Sequence, residues 1–520
     1  MDFTEAYSDR CSSVGHAARI GNVSALTKLI QSGSSVDVKD NRGWTPLHEA
    51  AAHGQLKCVQ LLIPHLEVDD INCRSFEGET PLWLAAKKGH HPVVLTLVET
   101  AADPNISNNE EGSPLLQAVA GNHQECVDIL LQHGANIRCQ FCNGWSLMHE
   151  VACQGNTVMA RHLLDAGAPL DLADDFGIKP VFTAAQYGRV ECLRLILERG
   201  GDANTQAYDK ATPLYLAAQE DYPQCIEVLL SHGANANLET EDGLKPLHAA
   251  AHKGHERCAR QLYPQTTIPP QTAPYTPLHF ACAQGHIQVI KYLLEAGCDV
   301  NTGLKKQDVN NKPKKDGEGV DEEHMNPEAP LLDAIENQHL NIVKCLLENG
   351  AKTECLEMFC PLKTAFPSEP LLRMLLEHGC SVNCGHVSKG PELLCENQDL
   401  KAVKFLLHCG MELDLSCLHE GNGCCLGVLT SSNTDFMATL VKMAAEFTDN
   451  LHLCCHLVAR LLDTSHWDQI KNLIENPPSL QHLSRITIRR LVGSKRLLNP
   501  ENIMTLPITR VTKEYLLYKE

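Results

Sequence analysis

A chain of 520 residues predicts three or four ordinary domains, unless it is a repeat array that grows in one dimension. Hydrophobic residues make up 43% and charged residues 21%, a balance that excludes a disordered polymer. The formal net charge of -20, from 44 basic and 64 acidic side chains, repels phosphate backbones and anionic lipid, so neither nucleic acid nor a membrane surface is an expected partner. Along the chain, Thr45-Pro-Leu-His-Glu-Ala-Ala recurs as Thr80-Pro-Leu-Trp-Leu-Ala-Ala, Lys179-Pro-Val-Phe-Thr-Ala-Ala, Thr212-Pro-Leu-Tyr-Leu-Ala-Ala, Lys245-Pro-Leu-His-Ala-Ala-Ala and Thr276-Pro-Leu-His-Phe-Ala-Cys. The proline slot falls at 46, 81, 114, 147 (a leucine), 180, 213, 246 and 277, a period of 33 with excursions to 35 and 31.

The motif has a physical logic. Thr caps an orphan amide, and Pro is tolerated in a first helical turn, where its missing N–H is no loss. Ala-Ala keeps the helix slim. Gly54, Gly89, Gly188, Gly254 and Gly285 then end it where a positive φ costs little. A second helix follows with apolar residues at i, i+3 and i+4, as at Val127, Leu130 and Leu131. Asn143-Gly144 and Asp242-Gly243 carry hairpin-turn chemistry. The expected fold is all-α: a solenoid of helix pairs with β-hairpin fingers, each unit buried only by its neighbours. The period and the Thr-Pro-Leu-His signature resemble the ankyrin repeat, and weaker copies lie at 13–37, 330–352, 361–383 and 391–413.

The organisation read from these signals is a capping repeat at 1–38, repeats over 39–301 and degenerate repeats over 327–413. A charged insertion occupies 302–326, and 414–477 forms a helical linker that closes the solenoid with the apolar stripes Phe436, Leu440, Met443, Phe447 and Leu451, Cys454, Leu457, Leu461. The stretch 305–324 holds 11 charged residues in 20, which predicts a solvated segment; Lys312-Pro-Lys-Lys315 is the weaker alternative of a nuclear address.

From residue 478 the sequence changes in kind. Ser479-Leu480-Gln-His-Leu483-Ser484-Arg485 leads to Ile488-Arg489, then to Leu506-Pro507-Ile508-Thr509 and Tyr515-Leu-Leu-Tyr518. This order resembles a SOCS box over 478–520, a small three-helix domain, and the whole chain resembles the ankyrin-repeat-and-SOCS-box family. The resemblance implies that Leu480, Leu483, Ser484, Ile488 and Arg489 contact elongin C of an elongin B/C pair. Leu506, Pro507, Ile508 and Thr509 would contact cullin 5, which brings a RING-box protein. Ser484 stands where the family has cysteine, and Thr509 where it has proline. The implied role is the substrate receptor of a ubiquitin ligase that marks its target for degradation; the alternative is an ankyrin scaffold in intracellular signalling without ligase recruitment.

No phosphate loop, nucleophile elbow or dinucleotide fingerprint is present, so neither catalytic residues nor cofactors are expected. His48 and His53 are i and i+5, roughly 140° apart on a helix, and cannot share a metal. His48, His149, His248 and His279 are expected to bond between neighbouring repeats. Cys417, His419, Cys424 and Cys425, with His452 and His456 around Cys454-Cys455, leave a zinc site as a minor alternative to reduced thiols; no metal is expected. No apolar run reaches the ~18–20 residues of a membrane helix, and the start lacks a basic, then apolar leader. The 24 cysteines are therefore expected to be reduced, in a cytoplasmic protein with nuclear residence as the alternative. Cys58, Cys126, Cys192, Cys225 and Cys258 sit where a helix buries a small apolar group.

The expected target-binding face combines finger tips with inner-helix positions: Phe76, Trp83, Glu110, Asp174, Asp175, Phe176, Tyr187, Tyr208, Glu241 and Asp242. Aromatic anchors in an acidic rim suit capture of a basic protein patch. A merely solvated rim is the alternative.

Overall fold

A computed structural model describes residues 11–267, 276–302, 329–353, 361–365, 368–381 and 400–409, with residues 439 and 442. The chain divides into two compact units, 1–250 with 257–267, and 251–256 with 268–520. In the first unit, helix pairs succeed one another: Ser13–Arg19 with Val23–Gln31, Pro46–Ala52 with Leu56–Leu62, and Pro81–Lys88 with His91–Glu99. They continue through Pro114–Ala120 with Gln124–Gln132, Leu147–Gln154 with Thr157–Asp165, Pro180–Gln186 with Val190–Glu198, and Pro213–Gln219 with Pro223–Ser231. The division itself runs through the pair Pro246–Lys253 and Glu256–Leu262. In the second unit, Pro277–Gln284 pairs with Ile287–Glu295, Pro330–Glu336 with Leu340–Glu348, and Pro361–Ala365 with Glu369–Glu377, before Leu400–His408.

Several first helices start and stop for the reasons the motif supplies. The Thr80 hydroxyl accepts from the Trp83 amide at 3.1 Å, and Thr212 accepts from Tyr215 at 3.2 Å. Gly89 closes its helix at φ +75, a conformation that favours glycine. Ala50, Ala51, Ala85, Ala86, Ala184, Ala185, Ala217 and Ala218 are all buried, so the slim face is the packed one. Cys58, Cys126, Cys192, Cys225 and Cys258 are buried as expected, and every described cysteine is a free thiol. Burial raises these thiols, to about 11 at Cys126, Cys192 and Cys225, which keeps them protonated and unreactive.

The fingers differ from the expectation of hairpins. Among the described residues only Gln140–Phe141 and Trp145–Ser146 pair as strands. Elsewhere the loop is too tight for a ladder: one backbone bond, such as Asp174 N–H to Ile178 O at 2.9 Å, closes five residues. A side chain fills the loop from within. Asp40 Oδ1 accepts from Arg42 and Trp44, and Asp174 Oδ1 from Phe176 and Ile178, at 2.8–2.9 Å.

Three sets of side-chain bonds stitch successive repeats. The first is the expected histidine set. His48 Nδ1 accepts from the Thr45 amide at 3.1 Å, and its Nε2 donates to Glu79 O at 3.1 Å in the next repeat. His149 does the same with Ser146 and with Ile178 O at 3.0 Å. The second set was not expected. His90 and His123 donate from Nε2 to Ala52 O and Lys87 O, one repeat back, both at 3.2 Å, and His286 and His339 repeat this in the second unit. Their rings lie on the helix-ending glycines; a Cβ on Gly89 would sit 2.5 Å from the His123 ring. The third set is asparagine: Asn72, Asn105, Asn204 and Asn237 each donate to a carbonyl and accept an amide of the following repeat. Where Arg138 and Asp171 occupy that register instead, Arg199 reaches Asp165 at 2.9 Å between outer helices.

In the second unit, Asn301 makes the same clip to Gly350 O at 3.3 Å and from Lys352 N at 2.8 Å, and His339 reaches Ala283 O. Repeats on either side of residues 303–328 are therefore direct neighbours.

The tautomer of His48 follows from its partners. Nδ1 accepts an amide, so Nε2 carries the proton. Burial holds this imidazole well below its ordinary 6.5, at about 4. A lowered histidine stabilises the fold fully above pH 6.5, and that contribution is lost as pH falls toward 4. Between pH 7 and pH 5 the loss is expected to be about 2 kcal/mol. Urea unfolding at the two pH values checks this, with His48→Gln as the control; a pH dependence unchanged in that variant overturns the assignment.

Candidate functional site

In the first unit the finger tips are joined in two backbone-bonded runs, from 42 to 109 and from 143 to 241, with a Cys142 Sγ to Glu110 O bond at 3.0 Å between them. Phe76 N–H donates to Arg42 O at 3.0 Å, Asn109 to Glu77 O at 3.0 Å, Asp175 to Asn143 O at 2.8 Å, Tyr208 to Phe176 O at 3.0 Å and Glu241 to Asp209 O at 2.8 Å. Within each run a tip is fixed by the finger before it, so its side chains are presented by a rigid backbone. Phe76, Phe176 and Tyr208 are 69%, 62% and 75% exposed. Glu110, Asp175, Glu241 and Asp242 are exposed beside them. Aromatic side chains exposed on a fixed edge are the type that anchors protein interfaces. Tyr187 is exposed too, but caps the first helix of its repeat, away from the tips in sequence and fold.

Two of the expected face residues are structural. Trp83 is only 3% exposed, its Nε1 donates to Gly112 O of the next finger at 2.8 Å, and Lys87 Nζ lies 4.6 Å over its ring. It fills the fourth motif slot and does with an indole N–H what His48 does with an imidazole. The expectation of an exposed anchor at Trp83 is corrected on that ground. Asp174 is likewise buried, with its carboxylate turned into its own loop. It shapes the finger that carries Asp175 and Phe176.

Half-buried residues beneath the row were missed in the sequence. Trp44 lies under the Arg42 guanidinium at 3.9 Å, while Arg42 also pairs with Asp40 and with the buried Glu49. Trp145 stacks on His149 and donates to Glu150 Oε2 at 3.2 Å. The signal was present as the repeated Trp44-Thr-Pro-Leu-His-Glu49 and Trp145-Ser-Leu-Met-His-Glu150.

Among the described residues no group of histidine, cysteine and carboxylate side chains could hold a metal, and no helix is long and apolar enough to cross a membrane. The cysteine–histidine clusters at 417–425 and 452–456 lie outside the described residues, as do the expected elongin contacts Leu480, Leu483, Ser484, Ile488 and Arg489 and the cullin contacts Leu506, Pro507, Ile508 and Thr509.

Slim inner helices, histidine-stitched repeats and a row of short fingers define an ankyrin-repeat solenoid. Residues 14–108, 102–174, 148–240 and 216–303 match the family Ankyrin repeats (3 copies), and residues 476–517 match the SOCS box. The chain belongs to the ankyrin-repeat proteins that carry a SOCS box. It is 44% identical over 194 residues, 37% of this chain and 37% of the relative, to Ankyrin repeat and SOCS box protein 3 of Homo sapiens. To the Bos taurus protein of the same name it is 43% identical over 190 residues, 36% of each chain. The matched stretch spans little more than a third of these relatives' length. A solved structure, the ankyrin repeat domain of Bcl-3, is similar at 24% identity and a TM-score of 0.39, covering 43% of this chain and 99% of that one.

Proposed function

We propose that this chain is the substrate-recognition subunit of an elongin B/C–cullin 5–RING-box ubiquitin ligase. The observation that carries this is the union, on one chain, of a rigid partner-presenting row and a SOCS-box match at 476–517. The repeats hold a target protein while the box holds the ligase, and isopeptide chemistry stays with the other subunits. The chain is non-catalytic in this scheme and supplies proximity, raising the effective concentration of target lysines at the charged ubiquitin. Free, protonated core thiols suit a reducing, cytoplasmic setting. The proposed architecture keeps the capping repeat at 1–38, the insertion at 302–326, the linker at 414–477 and the box at 478–520.

Two experiments test the two halves. Wild-type chain at micromolar concentration should co-purify elongin B/C and cullin 5; failure to retain elongin would return the chain to the scaffold alternative. On the repeat side, the triple change Asp175→Lys, Glu241→Lys, Asp242→Lys should abolish target capture while elongin binding persists. Asp174 is left out because its carboxylate closes its own finger. Affinity purification under proteasome inhibition reads capture, and capture undiminished by the triple change would mark the acids as a solvated rim.

A further inference from the structure

Each backbone bond between fingers joins two tip residues, one from each finger. The pairs are Arg42 with Phe76, Glu77 with Asn109, Asn143 with Asp175, Phe176 with Tyr208, and Asp209 with Glu241. Of these five, only Phe176 with Tyr208 has two aromatic side chains, and they are 62% and 75% exposed. Tyr208 N–H donates to Phe176 O at 3.0 Å, and the Tyr208 ring lies on Gly177, the residue after Phe176. A Cβ on Gly177 would come within 2.9 Å of Tyr208 Cδ1. The two aromatic residues are therefore neighbours by a backbone bond and by a ring seated on the preceding finger.

The next pair along the run is wholly acidic. Glu241 N–H donates to Asp209 O at 2.8 Å, and both carboxylate side chains are exposed. Asp175, just before Phe176, and Asp242, just after Glu241, are exposed as well. Across the fingers 174–178, 207–211 and 240–244, Lys210 is the single cation against these four exposed acids. None of these side chains makes the bonds that join the fingers, which are made by backbone atoms. Asn143 stands where Phe176 does in its own finger, and Asn109 where Tyr208 does. An aromatic pair beside an acidic pair fits a basic partner; a second copy of this chain would set acid against acid.

Resting on the receptor role proposed above, we propose that these fingers take an extended segment of the target carrying a large apolar side chain and a lysine or arginine about three residues from it. The apolar side chain lies on Phe176 and Tyr208, and the cation answers Asp209 and Glu241. The spacing follows from the repeat: packed helices stand about 8–10 Å apart, and an extended chain advances ~3.3 Å per residue. The aromatic pair supplies the buried anchor, and the acidic pair one repeat further on fixes the register.

The test uses the full chain in complex with elongin B/C and a phage-displayed library of random dodecapeptides. Peptides selected on the wild type should share a large apolar residue with lysine or arginine about three positions away. Phe176→Asn and Tyr208→Asn place the residues of other fingers at the same tips. Each should keep the melting temperature and weaken those peptides about tenfold. Asp209→Asn keeps the Oδ1 that accepts from Ala211 N at 3.0 Å. Combined with Glu241→Gln, it should remove the preference for the basic residue and leave the apolar one. Replacing the apolar residue of a selected peptide by serine should cost as much on the wild type, with no change to the chain. Selection of no peptides, selection without the spaced pair, or equal binding by both asparagine variants overturns the proposal. Elongin retained alongside such a failure leaves the receptor role standing, whereas its loss from the wild type removes that role instead.

Discussion

Trp83→Ala is expected to destabilise the array by about 3–5 kcal/mol, the usual cost of emptying a large buried aromatic site. The indole is almost wholly buried between inner helices, and truncation also strands the carbonyl of Gly112, which loses its donor at 2.8 Å. Trp83→Phe separates the two contributions. It keeps most of the volume, as Phe182 does in its own repeat, and removes only the N–H, so about 1 kcal/mol is expected. Repeat arrays open locally, so hydrogen exchange across 81–120 is the more pointed measurement, with global melting beside it. If Trp83→Ala melts with the wild type yet loses its target, the residue is a binding anchor after all.

That correction shows where sequence reasoning was strong and where it failed. The period of 33, the helix starts at Thr45 and Thr80, the closing glycines and the reach of His48 to the next repeat could all be read directly, because each depends on a local motif repeated many times. By residue type Trp83 reads as an exposed anchor, but its slot is the buried one that His48 and His149 fill. That slot dictates an N–H aimed at the next finger, as at His48 and His149. The asparagine clips had no such local sign. Asn72 and Ala101 meet only once helix pairs are stacked, and a lone Asn between helices looks like ordinary turn chemistry. The break after Asn301 was legible in composition, but that its flanks meet follows only from the Asn301 and His339 bonds.

Leu480→Ala is expected to abolish elongin B/C binding, and with it cullin recruitment and target ubiquitination. A leucine that fills an apolar pocket at the centre of an interface typically accounts for ~2–4 kcal/mol, or about 30- to 1,000-fold in affinity. Pro507→Ala should spare elongin and weaken the cullin step alone, since it belongs to the second motif of the box. The departures from the family pattern add a graded test. The resemblance puts Ser484 where the family has a packed thiol; if elongin buries its hydroxyl without a carbonyl partner one turn back, a desolvation cost follows. Ser484→Cys should then tighten elongin binding modestly. The opposing account makes 478–518 an amphipathic cap on the solenoid, in which case Leu480→Ala lowers the melting temperature and has no partner to lose. Pull-down with elongin B/C and a melting curve, taken on the same preparations, give opposite patterns for the two. The receptor account requires an unchanged melting temperature with elongin gone; a depressed melting temperature in a chain that never retained elongin would leave 478–518 as structure alone.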